Sequence, residues 1–256
     1  MMRVKLLIYI LIFMNIQMLN SQIPIERELL SNWKVKSSDN VEDWIQATVP
    51  GCVHTDLLKN KHILDPFYRL NEKEVQWIDK KNWIYETVFT LPVEIRNKKT
   101  IILNFKGLDT YAKVFLNNNE ILITDNMFRE WKVDCSSYLN KYGDNFMRVE
   151  FESPVNKALP LYQAQIYHLP APNDQSNAGG FGDKKLSVLT RKAGYMYGWD
   201  WGPRLVTMGI WRPITIIGYD NFRISEFQIN TNSINDTLAN VTASVKVNTN
   251  EMIRAT

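Results

Sequence analysis

From residue 31 onward the chain consists mostly of short runs in which apolar and polar side chains alternate between turn residues. The strongest run is Trp83-Ile84-Tyr85-Glu86-Thr87-Val88-Phe89-Thr90, rich in aromatic and β-branched residues and closed by Pro92. Trp44 to Val49, Thr100 to Phe105, Ala112 to Leu116, Glu120 to Ile123, Phe146 to Glu152 and Ile214 to Tyr219 read as further strands. Asn117-Asn118-Asn119 separates two of them and predicts a hairpin, because Asn tolerates the positive φ of a tight turn. Only Val53 to Lys59, opening after Pro50-Gly51 and closing at Asn60, reads as a short helix. Short strands with turn signals roughly every ten residues form the pattern of a β-sandwich or jelly roll.

Residues 153–190 break this rhythm. Pro154, Pro160, Pro170 and Pro172 punctuate them, and Gly179-Gly180 and Gly182 loosen their end. They predict a long insertion over the surface, the kind of segment that often carries function. A boundary is expected near Tyr219-Asp220. Beyond it, Phe222 to Asn230 and Ala239 to Val247 look like the first strands of a second β domain, and too few residues follow for a sandwich that needs ~100. The chain is accordingly expected to be part of a longer one.

Residues 1–22 carry a third pattern. Arg3 and Lys5 precede an apolar run, Leu6 to Phe13, and Ser21 is small enough to stand before a cleavage point. This predicts a signal peptide, since the run is too short for a comfortable membrane span. Its removal takes the formal charge from +3 to +1, which offers no footprint for nucleic acid or an anionic membrane. The sequons Asn235-Asp236-Thr237 and Asn240-Val241-Thr242 agree with a secretory route, lysosomal or extracellular. The two cysteines, Cys52 and Cys135, make no disulfide framework and are expected as free thiols. No metal-ligand spacing, phosphate loop or Ser-His-Asp set is legible, so no metal or other cofactor is expected. His54, His62 and His168 are expected in ordinary packing or solvent contact.

The richest chemistry lies in Arg191-Lys192-Ala193-Gly194-Tyr195-Met196-Tyr197-Gly198-Trp199-Asp200-Trp201-Gly202-Pro203. An indole offers a flat apolar face to the C–H face of a pyranose, and a carboxylate accepts hydrogen bonds from two sugar hydroxyls. Gly202 and Pro203 fix a turn that would hold these side chains. The same residues also suit a structural cluster of core Trp with a turn-capping Asp, since buried Trp is common.

Arg191-Lys192, Gly198 to Pro203 and Gly209-Ile210-Trp211-Arg212 resemble the β-mannosidase signature of glycoside hydrolase family 2. In the expected order, Val49 to Leu58, Asp65-Pro66-Phe67-Tyr68 with Asn71-Glu72, Gly107-Leu108-Asp109-Thr110 with Val114 to Asn117, and Thr124 to Phe128 resemble other stretches of that family. The resemblance spans residues 28–219. It implies an all-β chain: a galactose-binding-like jelly-roll sandwich over residues 23–219, then the start of an immunoglobulin-like β-sandwich over 220–256. It implies hydrolysis of terminal non-reducing β-D-mannose from oligosaccharides with retention, by an acid and a nucleophile ~5–5.5 Å apart. Both glutamates are expected in a barrel beyond this sequence, leaving no catalytic residue here. Trp199, Asp200 and Trp201 would contact a β-mannoside oligosaccharide at the rim. Asn71-Glu72 and Asn119-Glu120 mimic the Asn-Glu of the catalytic acid but lie outside any barrel strand. Animal members carry a cysteine pair near Pro172 to Gly182, which this sequence lacks. A free lectin-like module and a non-catalytic truncated product are the rival readings.

Overall fold

The computed structural model describes residues 24–39 and 44–249. The expected signal peptide lies outside the described residues. Ten strands form two antiparallel sheets. One has four strands in the order β1 (Ile25–Glu28), β10 (Ile214–Tyr219), β5 (Thr100–Phe105) and β8 (Trp131–Asp134). The other has six, in the order β3 (Ile45–Ala47), β2 (Trp33–Ser37), β4 (Trp83–Phe89), β9 (Asn145–Glu152), β6 (Tyr111–Leu116) and β7 (Asn119–Asp125). Among the described residues three α-helices lie beside them: α1 (Val53–Lys59), α2 (Val93–Arg96) and α3 (Pro154–Gln163).

The alternation read from the sequence is the alternation of faces. In β4, Trp83, Tyr85, Thr87 and Phe89 are buried, and in β9 Asn145, Met147, Val149 and Phe151 are. The apolar ones among them meet Ile101, Leu103, Phe105, Ile214 and Ile216 of the smaller sheet in one core. Burying an aliphatic or aromatic side chain of this size contributes roughly 1.5–3 kcal/mol. β5 and β10 are buried at every position, because Ile102, Ile217 and Tyr219 form a small cluster of their own apart from that core. The hairpin at Asn117-Asn118 forms as its residue types require, with φ of 49° and 67°. The fold is all-β, and the strands and helix expected from pattern are present, with bounds moved by one to a few residues.

Strands β1, β2 and β8 are additions to the strands read from pattern, and one expectation needs correction. The segment 153–190 is not simply a loop over the surface. It opens with α3, whose N-cap Ser153 accepts the Asn156 N–H at 3.1 Å. Pro154 fits the first helical turn, where its missing N–H has no partner to lose. Val155 and Ala158 of this helix then build a second apolar cluster with Leu186, Tyr197 and Val206. Pro154 marks the helix start, Pro160 lies within the helix, and Pro170 and Pro172 fall beyond its end.

After β10, Phe222–Ile234 (β11) and Ala239–Thr249 (β12) form a separate two-stranded antiparallel sheet. Phe227 pairs with Val245, Ile229 with Ala243 and Thr231 with Val241, so these side chains share one exposed face. Cys52 and Cys135 are free, as expected. Among the described residues no helix is long and apolar enough to cross a membrane.

Candidate functional site

The segment 191–203 crosses between the second apolar cluster and the main core, and a buried cation stands at each end of it. At the first end, Lys192 donates to both carboxylate oxygens of Asp109, to the Thr207 carbonyl at 2.8 Å and to Thr207 Oγ1 at 3.2 Å. Thr207 Oγ1 in turn donates to Asp109 Oδ2 at 2.8 Å. The Lys and Asp side chains are essentially inaccessible. Burial pulls the Lys192 ammonium below the usual lysine range, and Asp109 opposes that pull. Asp109 is held by a reciprocal backbone pair with Gly209, at 2.9 and 3.1 Å.

At the other end, Arg204 Nη1 donates to Gln76 Oε1 and pairs with Asp79 Oδ2, both at 2.6 Å. Gln76 Nε2 returns a bond to the Arg204 carbonyl at 2.8 Å. Burial raises the Asp79 carboxyl, and Arg204 works against it. Gly179 lies flat on the guanidinium, where a Cβ would come within 2.5 Å of Cζ, so only glycine fits. Asp79 is fixed through its carbonyl, which accepts Ser153 Oγ at 2.5 Å. The helix cap of α3 and the clamp on Arg204 thus share a residue.

Between the clamps, Gly194–Tyr197 makes a short 3-10 turn, and the buried Tyr197 hydroxyl meets Thr190 Oγ1 at 3.1 Å. Gly198 then takes φ +98°, a conformation glycine enters without strain. Trp199 and Gly202 exchange backbone bonds, N to O at 3.2 Å and O from N at 3.4 Å, closing a tight turn. Asp200 and Trp201 stand at its exposed tip, with Trp201 81% accessible, while Trp199 is half-buried. The structure therefore brings Trp199, Asp200 and Trp201 together on one turn and turns the last two outward. A buried structural cluster, the rival reading of the motif, does not describe Trp201.

The other sequence candidates lie elsewhere. His54 is buried in α1, where burial first, then Lys192 and Arg204, lower its pKa to about 3, which keeps it neutral. Glu72 lies in the 3-10 turn Asn71–Val75, and Glu120 lies exposed in β7. Among the described residues no three His, Cys, Asp or Glu side chains gather in a way that could hold a metal ion. Asn235 and Asn240 are exposed on the β11–β12 hairpin.

Comparison with known proteins bears on this arrangement. Residues 33–212, which include both clamps and the turn, match the glycosyl hydrolase 2 galactose-binding domain-like family. The chain belongs to that family. Among family-2 relatives, it is 36% identical over 197 residues to β-mannosidase B of Aspergillus terreus, covering 76% of this chain and 22% of that protein. With β-mannosidase B of Emericella nidulans it is 34% identical over 225 residues, covering 86% of the chain and 26% of the relative. The crystal structure of β-D-mannosidase from Dictyoglomus thermophilum matches with a TM-score of 0.76 and 33% identity, over 90% of this chain and 26% of that one. A Ruminococcus gnavus β-glucuronidase, at 18% identity and TM-score 0.55, shares the fold. This family-2 chain thus spans about a quarter or less of the length of these β-mannosidases.

Proposed function

We propose that this chain is the N-terminal, substrate-contacting part of an exo-acting β-mannosidase, and that Trp199, Asp200 and Trp201 hold the terminal β-D-mannose of an oligosaccharide or glycoprotein glycan. The observation that carries this is the exposed turn bracketed by Lys192–Asp109 and Arg204–Asp79. Two buried ion pairs anchor the ends of the segment, while its turn leaves the Trp201 indole and the Asp200 carboxylate in water, where a sugar can reach both. The Asp200 carboxylate accepts hydrogen bonds from two hydroxyls, and the indoles shape the pocket wall. The acid and nucleophile of a retaining hydrolysis belong to residues outside this chain. The chain assayed alone with a chromogenic β-mannoside is expected to show no turnover. Turnover that disappears in Asp200→Ala would overturn this division of labour.

The self-supporting turn also suits a free lectin-like module. A turn that forms only part of a pocket is expected to bind mannose more weakly than ~1 mM. Micromolar binding by calorimetry would favour the lectin. The proposed setting is the secretory pathway, ending in the lysosome or outside the cell. Asn235 and Asn240 are the proposed glycan acceptors, and the exposure of both supports this.

A further inference from the structure

Both clamps act at the ends of the segment, where Lys192 and Arg204 bond to Asp109, Thr207, Gln76 and Asp79, none of them in the turn. Gly198 lies directly before the turn at φ +98°, a conformation that glycine adopts without strain. Gln175 touches the chain on both sides of this glycine. Its backbone N–H donates to the Tyr197 carbonyl at 2.9 Å, and its side-chain Nε2 donates to the Trp199 carbonyl. Between these bonds its stem lies so close to Gly198 that a Cβ there would fall 2.7 Å from Gln175 Cδ and 2.8 Å from Cγ. One residue therefore spans 197, 198 and 199.

Gln175 is itself well held. Its carbonyl accepts the Ala178 N–H at 2.9 Å. Its neighbours Asp174 and Ser176 are buried and bonded to each other, and Asp174 Oδ2 takes the Ser187 N–H at 2.8 Å. The alternative partner of the Trp199 carbonyl, the Gly202 N–H, stands at 3.4 Å, near the limit of a useful bond. The Gln175 amide is thus the side-chain donor to that carbonyl.

We infer that Gln175 is a positioning residue: by locking the Gly198 hinge it sets the direction of Trp199, Asp200 and Trp201, and so governs recognition of a mannose-type polyol without touching it. This rests on the sugar-contact reading of the turn given above. The requirement is a donor at Nε2, because the group it meets is a carbonyl, and shape alone does not replace it.

The test replaces the eight tryptophans with 5-fluorotryptophan and follows their fluorine signals in wild type, Gln175→Glu and Gln175→Met. At pH 7 the Glu carboxylate has no proton to donate. The Trp199 and Trp201 signals are expected to shift or broaden while the other six stay in place. Below a pH of ~4.3 the carboxylic acid recovers a donor, and both signals should return to their wild-type positions. Gln175→Met, similar in shape and without a donor, should show the displaced signals at every pH, and it carries the comparison if the Glu variant does not fold at pH 7. Wild-type signals in Gln175→Met, or no displacement in Gln175→Glu at pH 7, overturn the inference.

Titration with methyl β-D-mannopyranoside separates this from the sugar reading. Loss of one net hydrogen bond should weaken binding about fivefold in Gln175→Met. Displaced signals with affinity within about twofold of wild type overturn the positioning role and leave the sugar reading standing. A wild-type Trp201 signal that never responds to the mannoside overturns the sugar reading, while the pH reversal in Gln175→Glu still decides whether Gln175 locks the hinge.

Discussion

Trp201 and Lys192 sit nine residues apart in one motif and carry opposite burdens. Trp201 is in water, so Trp201→Ala should change the unfolding free energy by no more than about 0.5 kcal/mol. On the proposed reading, it should raise KM for a β-mannoside when the chain is part of a full-length β-mannosidase. Lys192→Met leaves Asp109 as a buried charge without its partner and should cost about 3–5 kcal/mol in urea unfolding. Lys192→Met combined with Asp109→Leu should cost less than Lys192→Met alone, because the stranded charge is gone; a double variant at least as unstable as the single would refute this account. The sequence announced the indoles plainly, since the chemistry of two tryptophans flanking a carboxylate is local. It did not announce the clamps. Asp109 and Lys192 are 83 residues apart, each in a loop, and no periodicity relates two loops. The available signal was weaker: a charged residue lying inside a stretch of glycine and apolar side chains, as Asp109 does after Gly107-Leu108.

Helix α1 shows the same division at the level of an element. Its start after Pro50-Gly51 and its end at Asn60 were legible from turn chemistry, whereas its buried polar residues, His54 and Asp56, follow from tertiary packing alone. Asp56 accepts Tyr85 OH at 2.9 Å and the Thr48 N–H at 2.8 Å, yet burial dominates and raises its pKa from 3.8 to about 6. A carboxyl raised in the folded state contributes stability that is fully present below pH 3.8 and is lost as pH rises through about 6. His54, lowered from 6.5 to about 3, does the reverse: its contribution is present above pH 6.5 and is lost as pH falls. Between pH 4 and 6 the two slopes, each about 1.4 kcal/mol per pH unit at most, oppose one another. The Tm of Asp56→Asn should therefore fall relative to wild type on going from pH 6 to pH 4. That of His54→Gln should fall relative to wild type over the opposite course. Parallel Tm curves for either variant and wild type would contradict the assignment. In α3 the lesson differs. Ser153 and Pro154 give a local start signal, whereas Pro160 looks like a breaker, and the cluster of Val155, Ala158, Leu186 and Tyr197 explains why the helix continues through it.

Across the whole molecule, protection should be uneven. β5 and β10 are buried along their full lengths, whereas β11 and β12 are exposed at almost every position. A two-stranded hairpin is marginal in water, so its amides should exchange with deuterium orders of magnitude faster than those of β5. Expression through a eukaryotic secretory route should add two glycans removable by an N-glycanase. Asn235→Gln with Asn240→Gln should abolish that mass shift, and a variant that keeps it would place the acceptor elsewhere. The sandwich itself was readable from alternation, because one buried face per strand imposes a period of two. The packing of loop against loop above it was not, because it depends on pairs distant in sequence. The two ion pairs have one further consequence. They anchor both ends of the segment that carries the proposed recognition turn to residues that cannot loosen without opening the interior, so the segment has no melting transition of its own. Heat should thus abolish sugar recognition and cooperative structure at the same temperature, and the protein should have no intermediate range in which it is folded but blind to its ligand.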